Sequence, residues 1–116
     1  MATVVWTTHA KAKRRKLYLD GLQGFGTTTA RKTSQIIVNI ADDLSRWPTT
    51  GFPEPLLKGT PIFYRARHIN KRFKIIYWYD ELNDKVVIED IWDTRRSPEN
   101  LIKMYVGTGH VPARKK

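Results

Sequence analysis

The strongest constraint on the fold is a long segment whose apolar side chains follow helical spacing. Between Thr27 and Trp47 they recur every three or four residues, which places them on one side of a helix of about five turns. The recurring positions are Thr33, Ile36, Ile37, Ile40, Leu44 and Trp47. Residues 27–29 are threonines that can cap the helix, and Pro48 and Gly51 end it. The apolar side of such a helix needs a second layer to cover it.

The chain has 116 residues and no cysteine, which fits one domain and excludes disulfide scaffolds, cysteine zinc sites and thiol catalysis. Lys and Arg total 21 against 11 Asp and Glu, and the resulting net charge of +10 favours polyanionic partners. No apolar run approaches the ~20 residues of a membrane span, and no signal-peptide pattern is present. We therefore expect a cytoplasmic protein without a membrane partner. Residues 1–106 should form the domain, and residues 107–116 a basic flexible tail.

A strand and another helix are predicted before the long helix. Val4–Thr7 is a short run of β-branched and aromatic residues, and Thr7 or Thr8 can cap a helix from about His9 to Gln23. The sequence Gly24-Phe25-Gly26 stops that helix. The two helices are therefore expected to form a hairpin.

Sheet-forming segments follow the long helix. Ile62–Ile69, Phe73–Tyr79 and Val86–Trp92 are rich in β-branched and aromatic residues and are separated by polar turns, which predicts an antiparallel meander. Ser97 and Pro98 then start a last short helix. The expected fold class is α+β, with the N-terminal strand and helical hairpin packed on one face of a mainly antiparallel sheet and a short C-terminal helix. The other face of the sheet is expected to stay open.

A block of cations without carboxylates lies in this sheet region. Its members are Arg65, Arg67, Lys71, Arg72 and Lys74. Strand alternation puts Arg65 and Arg67 on one side, and Lys74 from the next strand should lie close enough to add a third charge. Because a guanidinium matches phosphate oxygens, the block predicts a nucleic-acid-binding patch. The alternative is an ordinary solvated face.

Two further groups of residues allow more than one interpretation. Arg95 and Arg96 follow the last strand near a helix start and are candidates for a second phosphate contact, or Asp93 pairs with one of them in a capping turn. The aromatic residues of the strands either stack on bases or belong to the core. They are Tyr64, Tyr77, Trp78 and Tyr79.

No metal-ligand spacing and no Ser–His–Asp set is present, so no metal and no cofactor is expected. RNA cleavage by attack of its own 2′-hydroxyl needs neither, only cations and a group that moves protons. The histidines are expected to be structural or solvated, and His68 inside a strand is the best exception, as a candidate for that group.

The order of several segments resembles the RelE/ParE superfamily of toxins from bacterial type II toxin–antitoxin systems. These segments are Val4–Thr7, Leu44–Pro48, Tyr64–Arg67, Phe73–Tyr77 and Ile91–Pro98. The resemblance covers about residues 3–105. It implies a cognate antitoxin as partner, together with the ribosome and mRNA for RelE-like members, which cut mRNA in the ribosomal A site, or DNA gyrase for ParE-like members.

The resemblance also implies roles for particular residues. Arg65, Arg67 and Lys74 fall where RelE-like toxins bind the RNA backbone, which favours a ribosome-dependent mRNA endonuclease that needs no metal. Asn100 stands where those toxins have a tyrosine, and Tyr105 follows as a second candidate for proton transfer. A ParE-like gyrase inhibitor is the alternative, since the helical hairpin is long enough for one. A small basic RNA-binding module is a third interpretation.

Overall fold

In the computed structural model, which describes residues 1–107, the chain forms a five-stranded sheet with helices on both sides. The elements are β1 (Thr3–Trp6), α1 (Thr8–Phe25), α2 (Thr27–Arg46), β2 (Phe52–Pro53), β3 (Arg65–His68), β4 (Phe73–Asp80), β5 (Lys85–Asp93) and α3 (Pro98–Ile102). A 3-10 turn spans Pro55–Leu57, and a π-helical turn spans Lys103–Gly107. The predicted tail, residues 107–116, lies outside the described residues apart from its first position.

The predicted helical hairpin is confirmed, and one glycine joins its two helices. Thr7 caps α1 as expected, because its Oγ1 accepts a hydrogen bond from the Ala10 N–H at 3.1 Å. Gly26, with a φ of 89°, ends α1 and also precedes the first residue of α2. The predicted threonine cap of α2 is therefore wrong: the chain turns directly at Gly26, and Thr27 is already helical.

The sheet has the strand order β1-β5-β4-β3-β2, and the predicted meander of β3, β4 and β5 is confirmed. The first strand of this meander, β3, is shorter than predicted and spans Arg65–His68 instead of Ile62–Ile69. Its first residues are held in a loop because the Thr60 hydroxyl donates to the carbonyls of Leu57 and Ile62. Strand β1 pairs with β5 in parallel at one edge of the sheet.

Both faces of the sheet are buried, so the prediction of an open second face is wrong. The first core lies between the sheet and the helical hairpin, and includes Ile37, Ile40, Leu44, Ile75, Tyr77 and Ile88. The second core lies on the opposite face, and includes Leu57, Tyr64, Ile76, Trp92, Leu101 and Tyr105. The proline-containing connection after β2 and the C-terminal helical segment supply apolar side chains that cover the second face.

Candidate functional site

Arg65 and Arg67 lie on the helix-facing side of β3. In the register of β3 and β4, Arg65 is paired with Tyr77 and Arg67 with Ile75, and both partners belong to the first core. Side chains of directly opposite residues share a face of the sheet, so both guanidinium groups leave on the side of α2. The prediction that Arg65 and Arg67 project together is confirmed.

Both arginines are engaged with the chain itself. Arg65 Nη1 donates to the carbonyl oxygens of Thr49 and Gly51 at 3.1 and 3.0 Å, and its guanidinium lies 4.7 Å from the centre of the Phe63 ring. Arg67 Nη2 is 3.4 Å from Asp43 Oδ2 on α2. These contacts hold the connection after α2 against the sheet, which is a structural use of the two cations.

Lys74 lies on the opposite face of the sheet from the two arginines. Its register partners are His68 on β3 and Trp92 on β5. Because strand side chains alternate with a period of two, this register separates Lys74 from Arg65 and Arg67. The predicted convergence of the three cations on one uncovered patch is therefore wrong.

Lys74 is also paired with a buried carboxylate that the sequence did not predict. Its Nζ lies 2.5 Å from Glu54 Oε1, and the two side chains are 10% and 0% exposed. Glu54 Oε2 accepts from the Leu56 N–H at 3.1 Å, so the carboxylate also caps the 3-10 turn. The signal that could have found it is a lone acid between Pro53 and Pro55 in an otherwise uncharged stretch.

Four polar side chains are brought to one end of the second face, and we name them the second-face cluster: Glu54, His68, Lys74 and Arg96. His68 is exposed and stacks on Phe52, with ring centroids 5.3 Å apart. Arg96 is exposed, and its guanidinium lies 4.7 Å from the centre of the Trp92 ring. Because Trp92 is the cross-strand partner of Lys74, Arg96 borders the same end of the sheet.

Tyr105 belongs to the second core and is anchored by a buried aspartate. Its hydroxyl donates to Asp90 Oδ2 at 3.2 Å, and the other carboxylate oxygen lies 3.2 Å from His9 Nε2 and 3.4 Å from Lys13 Nζ on α1. Burial, and then the charge of Asp90, raise the pKa of Tyr105 far above its usual value of 10.0. The phenol therefore holds its proton at neutral pH, which makes it a hydrogen-bond donor and not a base.

The remaining predicted cations lie around the β3–β4 turn and the end of β5. Lys71 and Arg72 are exposed, and Arg72 Nε is 3.3 Å from Asp93 Oδ2. Asp93 Oδ1 accepts from the backbone N–H of Arg95 at 2.9 Å and lies 3.4 Å from its Nε. The predicted pairing of Asp93 with Arg95 is therefore confirmed, whereas the side chain that caps α3 is that of Ser97. Burial favours a higher pKa for Asp93, but the hydrogen bonds from Arg95 and Arg72 outweigh it and lower the pKa below 3.8.

The aromatic residues of the strands mostly serve the core. Tyr64, Tyr77 and Trp78 are buried, so stacking of bases on these three rings is wrong for the described fold. Tyr79 is half-buried, and its hydroxyl donates to Asp84 Oδ1 at 2.6 Å. Within residues 1–107, no three His, Asp or Glu side chains are grouped so that they could hold a metal ion. None of the helices described is long and apolar enough to cross a membrane.

The architecture is the RelE/ParE-like fold: a mixed sheet with a helical hairpin on one face and a short C-terminal helix on the other. No protein-family model matches the sequence, and a comparison with curated proteins gives no significant match. Solved structures do match, and the similar proteins are members of the ParE, RelE and YoeB toxin families.

Three of these structures show the extent of the likeness. A chromosomal ParDE toxin–antitoxin system from P. aeruginosa is 21% identical with a TM-score of 0.64, over 80% of this chain and 96% of that chain. A metal-bound toxin from Helicobacter pylori is 13% identical with a TM-score of 0.61, over 82% and 97%. The toxin–antitoxin complex RelBE2 from Mycobacterium tuberculosis is 26% identical with a TM-score of 0.51, over 79% and 96%.

Proposed function

We propose that this chain is the toxin of a type II toxin–antitoxin pair and that it acts as a metal-independent endoribonuclease on mRNA at the ribosome. The likeness to toxins over about four-fifths of the chain supports the first part. The observation that carries the second part is the ion pair of Lys74 with Glu54, together with the position of the exposed His68 as the cross-strand register partner of Lys74. It places a held cation opposite an imidazole, a side chain that can act as a general base.

The cluster supplies what cleavage by a 2′-hydroxyl requires. The 2′-oxygen attacks the adjacent phosphorus, the bond to the 5′-oxygen breaks, and the products are a 2′,3′-cyclic phosphate and a 5′-hydroxyl. His68 accepts the proton of the 2′-hydroxyl and returns it to the departing 5′-oxygen, so that the protons balance, and Lys74 stabilises the negative charge that develops on the phosphate. Arg96, which is exposed at the edge of the cluster, binds a phosphate oxygen.

Glu54 acts in this scheme as a positioning residue. Its side chain is fully buried, so it does not reach the RNA, but it fixes the ammonium of Lys74 at one end of the sheet. A fixed cation stabilises a transition state better than a mobile one, because no reorganisation is needed during the reaction. Arg65 and Arg67 have no part in the scheme, since they leave the sheet on the other face.

The test is mRNA cleavage in cells and on ribosomes in vitro. Lys74→Gln and His68→Asn should each lower the cleavage rate by roughly 100-fold or more, the range expected when a charge-stabilising or proton-transferring group is removed. Arg67→Ala is the matched control, because it removes a strand cation on the opposite face and should keep cleavage within a few-fold. Loss of cleavage in a folded Arg67→Ala variant, with activity retained in Lys74→Gln, would refute the assignment.

A cognate antitoxin is the expected protein partner. The net charge of +10 favours an acidic or amphipathic peptide segment, and electrostatic steering should make its association rate fall as salt is added. Co-expression with the cognate antitoxin should restore growth.

Inhibition of DNA gyrase without catalysis is the second candidate. The observation that favours it is the hairpin of α1 and α2, with 18 and 20 residues, together with the fold likeness to the ParDE system. Induction of the chain should then trigger a DNA-damage response with intact mRNA, and Lys74→Gln should leave toxicity unchanged. A-site-specific cuts in mRNA would decide for the nuclease.

A further inference from the structure

A groove runs beneath α1 and reaches Arg96 of the second-face cluster at one end. Two adjoining cavities of about 270 and 190 Å³ form it between the helical hairpin and the ends of β4 and β5. They share the lining residues Leu17, Asp20, Arg72 and Phe73, so the space is continuous from the tip of the hairpin to the end of β5. Of the four residues of the second-face cluster, Arg96 lines this groove and the other three do not.

One end of the groove is rich in cations. The smaller cavity is lined by four cations, Lys13, Lys16, Arg72 and Arg96, against the two carboxylates of Asp20 and Asp93. Lys16 pairs with Asp20 at 2.9 Å, but both side chains are more than half exposed, so this pair is weak and can be exchanged for a ligand. Lys13 is also paired with the buried Asp90 at 3.4 Å, and Arg72 with Asp93 at 3.3 Å. An anionic group such as a phosphate would therefore meet Arg96, which lies over the Trp92 ring, and would compete with Asp20 and Asp93 for Lys16 and Arg72.

The other end of the groove presents flat aromatic surfaces. Phe25 is 71% exposed at the end of α1 and lines the larger cavity together with Phe73. The guanidinium of Arg72 lies 4.9 Å from the centre of the Phe73 ring, so the planar cation and the ring lie next to one another. An exposed phenylalanine is costly in water, and a planar partner that covers it is favoured.

We propose that this groove binds one nucleotide unit of a single-stranded RNA, with the phosphate at Lys16, Arg72 and Arg96 and the base against Phe25 and Phe73. The inference deepens the proposed nuclease function and rests on it. Arg96 connects the two places, because it lines the groove and also lies over Trp92 beside Lys74. A strand bound at the second-face cluster would cross the end of β5 and enter the groove there.

An acidic peptide is the other occupant that the cations of the groove would attract. A peptide carboxylate would satisfy the cations, but the aromatic end would then need a separate aromatic side chain at a fixed distance from it. A nucleotide supplies a single phosphate and a π-face at adjacent positions, which matches the separation of charge and aromatic surface along the groove.

Binding can be measured separately from cleavage. The His68→Asn variant, which should not cut RNA, is titrated with a labelled RNA tetranucleotide, with adenosine monophosphate and with inorganic phosphate, by fluorescence anisotropy or calorimetry. In that background Phe25→Ser and Lys16→Glu should each weaken tetranucleotide binding roughly tenfold, the loss of one stacked base or one charge-assisted contact. The matched controls are Leu19→Ser and Lys11→Glu, which change exposed α1 residues outside the groove and should have little effect.

Each outcome decides for or against the groove. Binding of adenosine monophosphate with the same pattern of losses assigns the site to a single nucleotide, and binding of the tetranucleotide alone assigns it to a unit within a strand. Equal losses in the control variants would overturn the proposal, because the binding would then reflect net charge. So would failure of all three probes to bind at millimolar concentration, or binding of an acidic peptide in their place. Cleavage of mRNA by the wild-type protein tests the nuclease function independently of this binding experiment.

Discussion

Tyr77 Oη accepts a hydrogen bond from the backbone N–H of Gly51 at 2.9 Å, and a Cβ on Gly51 would lie only 2.5 Å from that oxygen. The same hydroxyl donates to the carbonyl of Pro48 at 2.8 Å. Burial raises the pKa of the Tyr77 phenol, so this donor is retained at neutral pH. The end of α2 is thus fastened to the centre of β4 through a position that only glycine fits.

Substitution of Gly51 should therefore cost stability. The added methyl of Gly51→Ala would collide with the Tyr77 hydroxyl and ring and with the Ala66 carbonyl, and we expect a loss of about 1–3 kcal/mol in the free energy of unfolding. Urea denaturation measures it. The matched control is Gly24→Ala in α1, which has open space around the new Cβ and should stabilise by about 0.5–1 kcal/mol. Equal stability of the two variants would contradict the packing described.

The buried phenol of Tyr105 should make the protein sensitive to alkali. Its pKa is raised by burial and by Asp90 in the folded state, so its contribution to stability is complete below pH 10.0 and is lost as the pH rises above that value. In Tyr105→Phe this loss is absent. The difference in unfolding free energy between wild type and variant should be constant at neutral pH and should shrink between about pH 10 and 12. If the difference in unfolding free energy at pH 11 equals the difference at pH 7, the assignment is contradicted.

Asp93 should make the protein sensitive to acid, because its pKa is shifted downward whereas that of Tyr105 is shifted upward. Its pKa is lowered in the folded state, so its stabilising contribution is complete above the unfolded value of 3.8 and is lost as the pH falls through the folded value. Wild type should therefore be more stable than Asp93→Asn at pH 6, and the gap should close below about pH 4. A second variant, Arg95→Gln, removes a hydrogen bond that the Arg95 side chain donates to Asp93. In that background the stability difference caused by Asp93→Asn should be smaller in the same pH window.

The fold could be predicted from the sequence because its local signals agree with one another. The spacing from Ile37 to Leu44, the glycines near Phe25 and the β-branched runs each specify an element without reference to the rest. The sequence did not show which segments cover the second face of the sheet. That covering depends on Leu57 and Leu101, which come from a turn and a short helix without periodicity of their own.

The site was only partly predictable for the same physical reason. Alternation correctly joined Arg65 to Arg67 within one strand. The position of Lys74 relative to them depends on the register of the β3–β4 hairpin, in which a shift of one residue reverses the face. Glu54 lies far from Lys74 in sequence, and neither strand periodicity nor charge clustering relates the two.

The Glu54–Lys74 pair predicts a strong energetic coupling. Lys74→Met leaves a carboxylate buried without its cation, and we expect a cost of about 3–5 kcal/mol in the free energy of unfolding. Glu54→Gln likewise leaves the ammonium of Lys74 buried without its carboxylate. In the double variant Glu54→Gln, Lys74→Met, no charge is buried and the amide oxygen can still accept from Leu56, so most of the stability should return.

The same double variant separates the structural role of the pair from its proposed role in catalysis. If Lys74 stabilises the phosphate during cleavage, the double variant should be as well folded as wild type and still fail to cut mRNA, because no cation remains at that place. Circular dichroism and urea denaturation establish the fold, and ribosome-dependent cleavage measures the activity. Cleavage at the wild-type rate in this stable, uncharged variant would remove the second-face cluster from the mechanism and leave the pair as a structural contact.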